Sequence, residues 1–194
     1  MYALVAAIDA KDSFTFQHST NVSQYAVLLA QKLGLPGDDI QTVKVAGLLH
    51  DIGKIGIDDK ILNKKGQLTD EEFEIMKQHT VIGVEILEDL QYYQDEPLVK
   101  TAREICRWHH ERYDGRGYPD GLKGEDIPIS AQVVSLADVY DALVSKRVYK
   151  ASYSHEKAMQ MILNGECGAF NPLLLTCLKD LSLIHISEPT RQEA

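Results

Sequence analysis

An all-α fold is predicted for this chain on three observations. Apolar residues recur at three- and four-residue spacing along most of its length. No convincing stretch alternates apolar and polar residues as a half-buried strand would. Helix caps and breakers bound the periodic segments. Helices of this kind bury their apolar stripes against one another, so a helical bundle is expected.

The elements follow in order. Val22, Tyr25, Ala26, Leu29, Ala30 and Leu33 form a stripe that Gly34 stops, with Pro36 beyond it. Asp38 and Asp39 place acidic charge at the positive end of a second helix, expected to reach about His50. Thr69-Asp70-Glu71-Glu72 fits a capping box and opens a helix toward His79. Another helix is expected from Val81 to Leu90. Pro97 suits the first turn of the next, which runs to His109 and His110. Residues 111–128, rich in Gly, Asp and Pro, read as a long ordered loop shaped by Gly115, Gly117 and Gly121. Ile129 to about Lys146 is helical again, as is Ser154 to Asn164, and Asn171-Pro172 opens a last short helix.

The 194 residues suit one domain, and 44% hydrophobic with 25% charged residues argues against disorder throughout. A net charge of −9 argues against a binder of long DNA or RNA, whose affinity rests on cationic contacts to phosphate. No apolar run is long enough for a membrane span, and no secretory signal is visible. Cys106, Cys167 and Cys177 lie at no metal-ligand spacing and read as reduced cytoplasmic thiols. Met1-Tyr2-Ala3-Leu4 enters an apolar stretch at once, so an upstream domain is expected. Residues 181–191, LSLIHISEPTR, resemble a translated sequencing-library adapter. The domain is therefore taken as residues 1–180 and 181–194 as a non-native tail.

Chemistry is expected where histidines and aspartates accumulate. His50-Asp51 ends the second helix in LLHDIGK, His18 lies in a break before a helix, and His79 ends one. His109-His110 is a doublet at another helix end, and Asp138 sits on the apolar face of SLADVYDAL. A carboxylate in that setting must be paired or metal-bound, because an unpaired buried charge costs several kcal/mol or more. Such side chains on separate helices meet in a bundle core to build metal sites. Nitrogen and oxygen ligands without thiolate suit Fe, Mn, Zn, Co or Ni. Seven ligands exceed one tetrahedral shell, so two ions are expected with Asp51 bridging them. His18, His50 and Asp138 are assigned mainly to one ion, and His79, His109 and His110 to the other; spacing alone does not fix that partition.

Three motifs in order, LLHDIGK (48–54), HHERYDGRGYP (109–119) and LADVYDALVSKRVYK (136–150), resemble the HD-GYP domain of the HD phosphohydrolase superfamily. The resemblance covers about residues 3–180. It implies a helical bundle of the HD type with a long GYP loop. It also implies hydrolysis of cyclic di-GMP to linear pGpG, and in some members to GMP, by a metal-bridging hydroxide. The ligand pattern carries over to the same seven residues. Some members hold a third metal through a glutamate that is Phe14 here, which implies a dinuclear site.

Lys54, in a Gly-flanked turn, is expected to stabilise phosphate charge or assist the leaving oxygen. Tyr118, between Gly117 and Pro119, is expected to stack on a guanine or contact phosphate. Arg147 and Lys150 match basic positions through which the family is thought to hold the dinucleotide, and Arg116 is a further basic candidate. Asp141 either orients a ligand histidine or pairs with a basic side chain. Trp108 and Tyr140 read as core, and His155 as a surface histidine. Alternatives stay open: a weakly catalytic cyclic-dinucleotide sensor, a hydrolase of another cyclic dinucleotide such as cyclic GMP-AMP, or a general HD nucleotide phosphohydrolase. A GGDEF-type partner at the GYP loop and an upstream sensory or receiver domain are implied by the same resemblance.

Overall fold

The computed structural model describes residues 15–145 and 152–187. Among them there is no strand, and nine α-helices with three 3-10 turns carry the fold. Helix α1 is Thr15–Leu33, α2 Gly37–Gly47, α3 Asp59–Leu62, α4 Asp70–Lys77, α5 His79–Glu88, α6 Pro97–Trp108, α7 Ile129–Val144, α8 His155–Leu163 and α9 Pro172–Ser187. The 3-10 turns are Ile52–Gly56, Gln91–Tyr93 and Gly124–Asp126.

Local chemistry sets most of these boundaries. The α1 stripe buries Val22, Ala26, Leu29 and Ala30, and Gly34, at φ 82, takes the left-handed conformation that ends the helix. Thr69 and Glu72 form both halves of the capping box of α4. Pro97 occupies the first turn of α6, and Ser154 caps α8 by accepting from the Lys157 N–H. Helix α7 is buried almost continuously from Ser130 to Ala137, as an element apolar on nearly every side must be. It packs against α1, α6 and α8, while α1 also holds α2 and α9. Leu29, Ile105, Leu136 and Ile162 lie fully buried at these contacts, each contributing about 1.5–3 kcal/mol by leaving water.

Several boundaries differ from the sequence expectation. His18 is not in a break but in the second turn of α1, and His79 opens α5 instead of closing α4. Helix α2 stops at Gly47, so His50 and Asp51 stand in the turn that leads into Ile52–Gly56. The short α3, capped by the Asp58 side chain, was not anticipated. The final helix is longer than expected and runs on to Ser187. Phe14, Arg147 and Lys150 lie outside the described residues.

The turn bearing His50 and Asp51 is held by close packing. The Cys106 thiol donates to the Leu49 carbonyl at 3.1 Å, tying α6 to it. Gly53 lies so near the start of α5 that an added Cβ would overlap the His79 carbonyl and the Gly83 N–H. Gly53→Ala is therefore expected to push the 3-10 turn off α5, at a cost of about 1–3 kcal/mol. Thermal unfolding beside the unmodified chain checks this; an unchanged melting temperature would contradict the contact.

Candidate metal centre

Five elements deliver the site. His18 comes from α1, His50 and Asp51 from the turn after α2, and His79 from the start of α5. His109 and His110 follow α6 directly, and Asp138 and Asp141 lie on α7. His50, His79 and His109 are buried, as is Asp51.

The three buried histidines are oriented by their own backbone. His50 Nδ1 donates to the Gly47 carbonyl (2.9 Å), His79 Nδ1 to Met76 (2.7 Å) and His109 Nδ1 to Ile105 (2.8 Å). With Nδ1 protonated, each Nε2 presents a lone pair. These lone pairs converge. His79 Nε2 and His109 Nε2 face each other at 3.5 Å, and both approach Asp51 Oδ1, at 3.4 and 3.8 Å. His50 Nε2 is buried without a hydrogen-bond partner, 3.2 Å from Asp51 Oδ2.

Electrostatics agree with neutral rings. Burial holds His109 well below its usual pKa and lowers His79, while desolvation and the adjacent His79 push His110 down to about 4. Burial opposes ionisation of Asp51, but the charge of Lys54 leads the contacts that outweigh it and hold the carboxyl well below its ordinary range. Lys54 Nζ lies 2.6 Å from Asp51 Oδ2.

His18 is set differently, between two carboxylates: Nε2 is 3.1 Å from Asp138 Oδ1 and Nδ1 is 2.7 Å from Asp141 Oδ2. Burial lowers its pKa, but the hydrogen bonds to Asp138 and Asp141 prevail and raise it to about 9. Asp141 meets His18 and also accepts from Asn21 Nδ2 and Ser145 Oγ at 2.8 Å each.

Asp51, His79, His109 and His110 offer ligand atoms within 4.8 Å of one another, and so do His18, His50 and Asp51. Asp51 is common to both groups. Acceptors crowded this closely repel one another unless a cation lies among them, so the donor set is compatible with divalent metal binding.

The loop after His110 is firmly tied. Buried Glu111, which the sequence reading passed over, accepts at Oε1 from the Asp120 N–H (2.7 Å) and the Gly121 N–H (2.9 Å). Asp120 takes a bidentate pair from Arg107 (2.7 and 2.8 Å) and a bond from Trp108 Nε1 (2.8 Å). Trp108 is thus only half-buried, its indole N–H turned to the loop instead of the core. These ties set Tyr118 stacked on His110, with centroids 4.8 Å apart and planes inclined by 26°. Arg116 is exposed, its backbone N–H donating to Asp114 at 3.0 Å. His155 corrects the surface reading. It is half-buried, bonded to the Tyr140 hydroxyl (2.8 Å) and Ser182 Oγ (2.6 Å). Tyr140 is likewise half-buried, packed edge-on against Tyr25.

A family profile described as HD domain matches residues 3–169. The chain belongs to the HD domain family. This HD domain is 40% identical, over 205 aligned positions, to a probable cyclic di-GMP phosphodiesterase of Vibrio cholerae, covering all of this chain and 46% of that protein. It is 39% identical to a 3'3'-cGAMP-specific phosphodiesterase of the same organism, covering 92% of this chain and 33% of that one. The HD domain thus spans less than half the length of these curated relatives. A solved HDGYP-type protein of Bdellovibrio bacteriovorus shares the fold with TM-score 0.65 at 23% identity, covering 84% of this chain and 51% of that one.

Removing a carboxylate that orients a ligand histidine weakens metal binding by roughly 10–100-fold. Asp141→Ala is expected to do so here while helicity is retained. Titration with Mn²⁺ beside circular dichroism checks it; unchanged affinity would show that His18 needs no orienting partner.

Proposed function

We propose that this HD domain is a metal-dependent phosphodiesterase that opens cyclic di-GMP to linear pGpG, GMP being the product that a second cleavage would give. The observation that carries the reading is the pair of ligand groups sharing Asp51. On this reading His18, His50 and Asp138 would hold one divalent cation and His79, His109 and His110 the other, with Asp51 common to both sets; Fe or Mn suits these nitrogen and oxygen donors. Two such cations, when bound, supply a water that ionises near neutral pH and neutralise charge on the phosphoryl oxygens.

The chain's own groups do the rest. The fixed Nδ1 bonds keep His50, His79 and His109 from swinging away, so ligand geometry is set before substrate arrives. Lys54, 2.6 Å from Asp51, places an ammonium at the edge of the cluster. There it stabilises the developing phosphate charge or donates a proton to the leaving oxygen. Tyr118, set on His110, offers its ring to a base or its hydroxyl to phosphate. Arg147 and Lys150 hold the dinucleotide from beyond the end of α7, with Arg116 a further basic contact on the loop. A GGDEF-type protein docks on that loop, and a sensory or receiver domain precedes residues 1–180 in the whole protein. A cytoplasmic location goes with this reading, as do the three free cysteines.

The 3'3'-cGAMP-specific relative favours one second reading, in which a mixed guanine–adenine ring is the preferred substrate. Anaerobic incubation with cyclic di-GMP or 3'3'-cGAMP and Mn²⁺ or Fe²⁺, with metal content measured on the same sample, distinguishes them. Linear pGpG and GMP are the expected products on chromatography; binding without turnover in any metal would leave a sensor.

Asp51→Ala is expected to lose both metal and turnover, and full occupancy in an active Asp51→Ala protein would defeat the assignment. Lys54→Ala should lower kcat by about 10²–10³-fold, the scale of losing one charge-stabilising donor. Arg147→Ala should raise KM more than it lowers kcat; the reverse pattern would reject a simple binding role.

A further inference from the structure

We propose that Phe73 and Lys77, on the helix that leads into His79, form the subsite for one purine base of the substrate. Phe73 stacks on the base and Lys77 reads the guanine edge. The inference rests on the phosphodiesterase reading above and names how that site recognises its substrate.

The residues lie one turn apart on α4 and face the GYP loop. Phe73 is 45% exposed, so its ring is open to a ligand. Its ring meets Tyr118 edge-on, with centroids 6.1 Å apart and planes at 82°. Tyr118 in turn stacks on His110, one of the clustered metal-ligand candidates. A ladder of rings therefore leads outward from the cluster: His110, Tyr118, Phe73. A cyclic dinucleotide held by its phosphate at the cluster carries its bases outward along the same line. An aromatic face at the mouth is the surface on which a base stacks, and such stacking is a main source of nucleotide affinity.

Lys77 supplies the polar half. Its Nζ lies 5.5 Å from the Phe73 centroid and 5.6 Å from that of Tyr118, beside both rings. Its ion partner is Glu74, at 2.6 Å, whose side chain is 67% exposed. Such a surface pair is weak and readily exchanged for a ligand. An ammonium beside a stacked purine favours guanine, whose O6 and N7 both accept hydrogen bonds there, over adenine, which turns an amino group to the same edge. Phe73 is thus a stacking contact and Lys77 a specificity contact, and neither reaches the reacting phosphate.

The test compares three substrates on the Mn²⁺-loaded protein: cyclic di-GMP, cyclic di-AMP and the base-free diester methyl p-nitrophenyl phosphate, whose one ring is the leaving group. Phe73→Ala is expected to lower the ratio of kcat/KM for cyclic di-GMP to that for the base-free diester about tenfold. Phe73→Trp should restore that ratio. Lys77→Gln should lower the preference for cyclic di-GMP over cyclic di-AMP about fivefold or more. A ratio unchanged within twofold in Phe73→Ala, or no rescue by Trp, overturns the stacking role. An unchanged base preference in Lys77→Gln overturns the specificity role. Hydrolysis of the base-free diester reports an intact site in each variant. If the unsubstituted protein cleaves that diester but neither cyclic dinucleotide, the cyclic-dinucleotide reading itself fails; variants that miss the expected ratios while it cleaves cyclic di-GMP overturn this inference alone.

Discussion

A buried carboxylate among histidine lone pairs is the constraint around which this molecule is organised. Asp51 is 4% exposed and is approached by His50, His79, His109 and Lys54. Only Lys54 brings permanent positive charge, and it meets one oxygen of the carboxylate. The other oxygen looks toward two imidazole nitrogens whose remaining positions are committed to backbone carbonyls. An apolar interior would reject such a set of like dipoles. Its survival is intelligible as a receptacle for multivalent positive charge.

The fold meets that constraint by placing the ends of helices, not their middles, at the centre. His50 and Asp51 follow α2, His79 begins α5, and His109 and His110 follow α6. The Nδ1 protons go to carbonyls at the helix ends, those of Gly47, Met76 and Ile105, which are shared with the backbone N–H groups of the same turns. One set of contacts thus caps the helices and aims the rings. The exceptions are His18 and Asp138, which lie within α1 and α7 and pair across the helix interface. The two long helices must dock in register before that pair can form, so the core stripes of α1 and α7 determine where His18 points.

Much of this was legible in the chain. The α1 stripe, Gly34, the Thr69 box, Pro97 and the Ser154 cap each mark a boundary by a local mechanism, and each boundary stands where that mechanism puts it. The HD dipeptide, the histidine doublet and Asp138 could be recognised because polar residues interrupt apolar patterns. Other features had no local signal. The α1 stripe begins only at Val22, so nothing in the period shows that the helix already includes His18; its contacts to Asp138 and Asp141 are tertiary. Helices α4 and α5 meet at Gln78, which holds an αR conformation and provides no side-chain cap, so no punctuation separates them and His79 reads as an end. Glu111 resembles an ordinary loop acid until its two backbone donors are seen. Phe73 resembles a core position because its exposure follows from the GYP loop's path, over forty residues away. Arg147 and Lys150 remain readings of the sequence.

The clamp built by Glu111 and Asp120 has a kinetic meaning. Loops at ligand sites commonly rearrange on binding, and that slows association. Here two carboxylates, one indole and one guanidinium fasten the segment to the end of α6 through contacts internal to the chain. An arriving molecule meets a wall already standing. Encounter is then governed by diffusion and charge, and residence time by whatever contacts lie along the rim. Selectivity among related ligands can drift through exposed side chains alone, without disturbing the buried machinery beneath them.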